Sequence, residues 1–120
     1  NTSSYSNVDG GTGGGIFLEN SDDVYFSNNV IADNRSEVGG AGIDARGVNL
    51  MLSHTTMSGN AGGGSGIFLH QDQWDNYSTV TLTNTILVSH TVGVYVSDGN
   101  AAQSDAILWG SDEWANATDW

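Results

Sequence analysis

The sequence predicts an all-β fold: a parallel β-helix (β-solenoid) of four to five coils, with about 26 residues per coil. Three observations predict it. Gly15-Ile16-Phe17-Leu18 returns as Gly66-Ile67-Phe68-Leu69, with related segments at Gly42-Ile43 and Gly93-Val94. Short apolar runs alternate with polar residues at period two, which is the signature of half-buried strands. Gly, Asn, Asp and Ser break these runs at short intervals, and no stretch carries a sustained helical stripe.

Each coil can be justified in order. The first opens at Ile16 and Leu18 and continues through Val24-Tyr25-Phe26 and Val30-Ile31, so Ile16, Leu18, Val24, Phe26 and Ile31 are expected inside. The second offers Ile43, Ala45, Leu50, Leu52 and Met57, and the third Ile67, Leu69, Val80, Leu82 and Leu87. A fourth begins with Val94 and Val96 and takes Leu108 and Trp109 as its later inward residues. Ile16, Ile43, Ile67 and Val94 form the core ladder, at steps of 27, 24 and 27 residues. A lone coil cannot bury its apolar face, whereas a stack can.

Alignment of the coils also stacks polar residues at turns. Asn28, His54 and Asn84 form one polar ladder, and Asn34, Asn60 and His90 form another. Stacked amides can hydrogen-bond along a column, so these residues read as structural. Glycines at 13–15, 39–42 and 62–66 precede the first strand of each coil and suit tight corners. Residues 1–120 read as a single β-helix domain, itself either an excerpt of a longer protein or a protomer that continues by stacking. Residues 1–12 would be an N-terminal edge segment, 13–109 the coils, and 110–120 a Trp-rich C-terminal edge or cap.

Composition narrows function. Two basic residues against fourteen acidic ones give a net charge of -12, which argues against nucleic acid and against an anionic membrane surface. No apolar run is long enough to insert in a membrane. Cysteine and lysine are absent, while Ser, Thr and Asn fill 36 positions, a balance that fits an extracellular or cell-surface protein. Four Asn-x-Ser/Thr sequences begin at Asn1, Asn34, Asn76 and Asn116, and they matter only in a host that glycosylates secreted proteins.

The stretches GGGIFLENSDDVYFSNNVIADN and VTLTNTILVSHTVGVYV resemble right-handed parallel β-helix repeat proteins of the pectate-lyase-like superfamily, in its bacterial surface branch. The cadence is also similar to polymorphic outer-membrane-protein-type repeats. The resemblance implies a right-handed coil and a groove along an outward strand face, in which aromatics stack on sugars. It does not extend to the lyase motif, because only Arg35 and Arg46 could serve as the basic proton acceptor.

The outward column of the first strands reads Phe17, Asp44, Phe68 and Tyr95, and beside it run Glu19, Arg46 and His70. One reading is mutual stabilisation, with Glu19 and Arg46 as an exposed ion pair. The alternative makes Phe17, Phe68, Tyr95, Arg46 and His70 a carbohydrate-binding face, with Asp44 or Glu19 as the catalytic acid. The histidines lack zinc-ligand spacing, so no metal site is assigned. No cofactor is expected, although Asp72 to Asn76 and Ser111 to Glu113 leave structural Ca2+ open. Trp109, Trp114 and Trp120 mark a C-terminal edge suited to capping or to end-to-end self-association. The leading expectation is a non-enzymatic structural or adhesive module, able to assemble head-to-tail into a fibre. The alternative is a carbohydrate-active or carbohydrate-binding module whose partner is a polysaccharide.

Overall fold

The computed structural model describes residues 2–3, 13–62, 65–110 and 113–115. The strands in chain order are β1 (Thr2–Ser3), β2 (Ile16–Ser27), β3 (Val30–Ala32), β4 (Arg35–Ser36), β5 (Gly40–Ser53), β6 (Thr56–Ser58), β7 (Ala61–Gly62), β8 (Ser65–His70), β9 (Thr79–Thr83), β10 (Ile86–Val88), β11 (Val92–Val96), β12 (Ala101–Asp105), β13 (Leu108–Gly110) and β14 (Glu113–Ala115). Every pairing is parallel. No described residue is helical. The strands form three sheets, β1-β4-β7, β3-β6-β10-β13, and a large one in which β2, β5, β8, β11 and β14 follow one another and β9 and β12 continue from β5. This is a β-solenoid.

Register confirms the repeat residue by residue. Ile16 stands opposite Ile43, Ile43 opposite Ile67, and Ile67 opposite Val94. These four rungs of one column bound about three complete turns, fewer than the four to five expected, because that expectation counted the partial windings on either side as coils. Ile43, Ala45, Leu50, Leu52, Met57, Ile67, Leu69, Val80, Leu82, Leu87, Val94 and Val96 are buried in one continuous core. Ile16, Leu18, Val24 and Phe26 pack against it but are only partly buried, since β2 has a neighbour on one side alone among the described residues.

Leu108 corrects the inward assignment of the last coil. It stands opposite Ile86 in the outward column and is 61% exposed, and it is Trp109 that stands opposite Leu87. Period-two alternation fixes a face only once the register is known, and a one-residue error reverses it.

The polar columns build the corners. Asn28, His54 and Asn84 occupy equivalent turns at φ 58°, 49° and 47°, and Ala106 continues them at 53°. Asn tolerates this left-handed conformation better than His or Ala, because its short side chain bonds locally. Each turn amide donates to the next coil, Asn28 to Ser53, His54 to Thr83 and Asn84 to Asp105. Asn84 also approaches the His54 ring, at 3.5 Å. The residue after each turn repeats a bond that the sequence reading missed: Asn29, Thr55 and Thr85 each donate to the carbonyl two residues back.

The second polar column lies inside. Asn60 Oδ1 accepts from the Asn34 backbone and side-chain nitrogens, and Asn60 Nδ2 donates to the Ile31 carbonyl and to His90 Nε2. The Asn34 contacts set the amide orientation, so His90 Nε2 must be the acceptor. The preceding glycines make room for this ladder. A methyl on Gly42 would lie 2.7 Å from the Gly66 carbonyl oxygen and 3.2 Å from Asn60 Cγ, and one on Gly66 would lie 2.8 Å from His90 Cδ2.

Burial lowers the His90 pKa from 6.5 to about 4, because the interior disfavours the charged ring. Between these values the unfolded chain binds a proton that the folded chain refuses. Stability is therefore full above pH 6.5 and falls as the pH drops, by about 3 kcal/mol at pH 4. Replacing His90 with Asn, the residue its column carries at positions 34 and 60, should flatten this part of a plot of melting temperature against pH. An unchanged slope in His90→Asn would contradict the assignment.

Candidate functional site

The outer face of β2, β5, β8 and β11 gathers the chemistry-bearing residues. Because Ile16 and Leu18 point inward, Phe17 and Glu19 point outward, and the same parity holds in the next coils. Phe17, Asp44, Phe68 and Tyr95 are register partners, as are Glu19, Arg46 and His70. Rung spacing brings the rings together. Phe68 and Tyr95 stack with centroids 4.7 Å apart and planes 2° from parallel, and His70 meets the Phe68 ring edge-on at 4.7 Å. Arg46 lies over Phe17, 5.0 Å from the ring centre, in a cation–π contact.

Asp44 differs from its column. Its side chain is fully buried although it is on the outward face. The cause is an irregularity at the start of β5, where the register shifts between Gly40 and Ile43. This brings the Gly40 N–H back to donate to Asp44 Oδ2 at 3.2 Å. Asp44 Oδ1 lies 2.6 Å from His70 Nε2 and 3.4 Å from Arg46 Nε. His70 Nε2 is also 2.8 Å from Arg46 Nε, but one ring nitrogen cannot accept from Arg46 while donating to Asp44. The shorter, charge-assisted contact to the carboxylate is the hydrogen bond, with the proton on Nε2.

This arrangement changes two expectations. Arg46 does not pair with Glu19. It turns to Asp44, because a carboxylate withdrawn from water offers a stronger electrostatic partner than an exposed one. Asp44 itself is enclosed by Gly40, His70 and Arg46, so in this arrangement it holds the imidazole and guanidinium in place and is not presented to a sugar. Glu19 remains exposed. Phe17, Phe68, Tyr95, Arg46 and His70 therefore share one outward face, with the Phe68 and Tyr95 rings stacked on each other and Arg46 lying over Phe17. Nothing in the Gly39-Gly40 pair reveals by sequence that the chain doubles back over Asp44.

The remaining candidates are dispersed. Trp109 and Trp114 stand in register with Leu87 and Val94, on different sheets, and Trp120 lies outside the described residues. So does residue 1 and most of the 1–12 edge segment, along with Ser111 and Asp112. Among the described residues, no three His, Cys, Asp or Glu side chains converge on a metal position. Asp72, considered above as a calcium ligand, instead organises its own loop. It accepts from the Trp74 and Asn76 backbone N–H groups and from Asn76 Nδ2, at 2.8, 2.9 and 2.8 Å. Burial opposes its ionisation, yet these donors outweigh it and hold the carboxyl below its ordinary 3.8. Its contribution to stability is lost only as the pH falls through that lowered value, below the window of His90.

Removing the Asp44 carboxylate leaves the Gly40 N–H, His70 and Arg46 without their shared acceptor. In urea unfolding, Asp44→Ala should lose about 2–3 kcal/mol, whereas Glu19→Ala should change stability by less than about 0.5 kcal/mol. Equal effects would show that the Asp44 contacts are not what holds this face.

The comparisons with known proteins agree with the coil geometry. The model of the family described as "Right handed beta helix region" matches residues 1–73. No curated protein and no solved structure matches the chain. With the family match spanning more than half of its length, the chain belongs to the right-handed β-helix family.

Proposed function

We propose that the protein is a non-enzymatic structural or adhesive β-solenoid module of the extracellular space or cell surface, assembling end to end. The observation that carries this reading is the state of the first coil. Ile16, Leu18, Val24 and Phe26 repeat the inward pattern of the coil above, yet they stay partly exposed at the outer edge of β2. An edge strand in register with an apolar column is a template for another coil. At the far side, β12 and β13 likewise pair on one side only among the described residues. The lysine-free, strongly acidic composition supports an extracellular setting and weighs against a nucleic-acid partner. Membership in a pectate-lyase-like surface branch, or in polymorphic outer-membrane-protein-type repeats, is the finer form of this reading.

A second reading has its own support. The stacked Phe68–Tyr95 pair beside Arg46 and His70 turns ring edges, a guanidinium and an imidazole outward, an apolar and polar surface for a polysaccharide chain. Turnover of a polysaccharide, seen as new reducing ends and lost in Glu19→Gln, would favour this reading as an enzyme. Binding without turnover, lost in Tyr95→Ala, would favour it as an adhesive surface.

The assembly reading is tested by sedimentation and negative-stain electron microscopy across a concentration series. Rods that lengthen with concentration are expected, and Leu18→Lys, which places a charge on the exposed rim of the first coil, should abolish them. A monodisperse particle at every concentration would contradict end-to-end assembly.

A further inference from the structure

The sheet of β3, β6, β10 and β13 turns an apolar face to solvent. Its middle residues Ile31, Met57 and Leu87 are buried, so the residues on either side of each point outward. Val30, Thr56, Ile86 and Leu108 are register partners and form one outward column. In it, Val30 is 75% exposed, Ile86 37% and Leu108 61%. Two residues on, Ala32, Ser58, Val88 and Gly110 form a second column. At every rung the second residue is smaller than the first: Ala follows Val, Ser follows Thr, Val follows Ile, and Gly follows Leu. The face is therefore a ridge beside a trough, both running along the stack.

Charge sets this face apart. The chain has a net charge of -12, yet no outward residue of these strands is charged. The other outward faces all carry charge: Glu19 and Arg46 beside the aromatic column, Asp23 and Asp105 on the strands that follow it, and Arg35 on the small sheet. Copies of so acidic a chain repel one another, and they repel least where they present no charge. A basic partner would find no carboxylate here to pair with.

Shape then selects a second copy as the occupant. A half-turn about an axis in the interface and parallel to the stack sets the ridge of each copy opposite the trough of the other, an isologous contact. A half-turn about an axis across the stack would set ridge on ridge. The face is self-complementary in the first arrangement, with both stacks running the same way.

Area decides when this contact holds. Strands of three residues in a sheet of four present a face of roughly 200 Å², at about 3.3 Å per residue and about 4.8 Å per rung. A stable complex covers about 800 Å² on each partner, so one pair of protomers falls well short. In a rod, each added protomer repeats the face in line, and the small contacts act together.

We propose that this face joins two rods side by side, its occupant being the same face of a second rod of this chain. The inference rests on end-to-end assembly and adds to it the lateral contact.

The test is electron microscopy with measurement of mass per length, on wild-type rods and on Thr56→Glu and Ile86→Glu. Both positions point to solvent from the inner strands of the sheet, away from the ends of the stack. An unaltered far-ultraviolet spectrum in either variant shows that its fold is intact. Wild-type rods are expected in pairs, with roughly twice the mass per length of the single rods expected from the variants. Pairing should increase from about 0.05 M to about 0.5 M sodium chloride, because the screening length falls from ~14 Å to ~4 Å and the acidic rods repel less. Wild-type rods that stay single at both salt concentrations would overturn the proposal and leave the face to a different partner, while end-to-end assembly would stand. Pairs that persist in both variants would place the lateral contact elsewhere, and pairs that separate as salt rises would show a contact held by charge; either result overturns the proposal. Absence of rods from the wild type would overturn the proposal and the end-to-end reading together.

Discussion

The structure depends on the in-register stacking of apolar side chains from successive coils. No single coil encloses Ile43 or Leu52, and each becomes fully dry only because equivalent residues lie above and below it. The parallel hydrogen bonds set the spacing, and the apolar columns set the register, since a shift of one residue would turn the core outward. Corners, ladders and outer faces follow from that constraint. A side chain that suits one position in a coil recurs about 26 residues later, and small departures from the pattern mark places where the molecule does something else.

Polar residues are used in two ways. At the outer turns, Asn28, His54 and Asn84 take a left-handed backbone that few residues tolerate. Inside, Asn34, Asn60 and His90 carry a directed chain of hydrogen bonds through an apolar setting, made possible by glycines where any Cβ would intrude. Histidine in the last position adds a proton-linked term that an asparagine there would lack.

Much of the fold was legible in the sequence, and the reason is geometric. Period-two alternation and the return of Gly-Ile-Phe-Leu fix which residues share a column, so the ladder of Ile16, Ile43, Ile67 and Val94 could be read without coordinates. The outward column Phe17, Asp44, Phe68 and Tyr95 followed from the same parity. Features that depend on local backbone departures were not legible. The irregularity between Gly40 and Ile43 buries Asp44, which diverts Arg46 from Glu19. The face of Leu108 depended on the lengths of the preceding turns. The third coil replaces the bend made at Asn20 and Gly47 with a loop, and Asp72, which resembles a cation ligand in sequence, proves to be the acceptor that folds that loop.

The central claim, parallel stacking in the stated register, can be tested by cross-linking, since the chain contains no cysteine. Met51 and Thr81 are direct register partners on the outward side of β5 and β9. Neighbouring parallel strands lie about 4.8 Å apart, within the range that a disulfide spans. Under mild oxidation, Met51→Cys with Thr81→Cys should form an intramolecular disulfide readily, while Met51→Cys with Thr83→Cys, displaced by two residues, should not. Efficient cross-linking of the displaced pair and none of the matched pair would contradict the register on which the account stands.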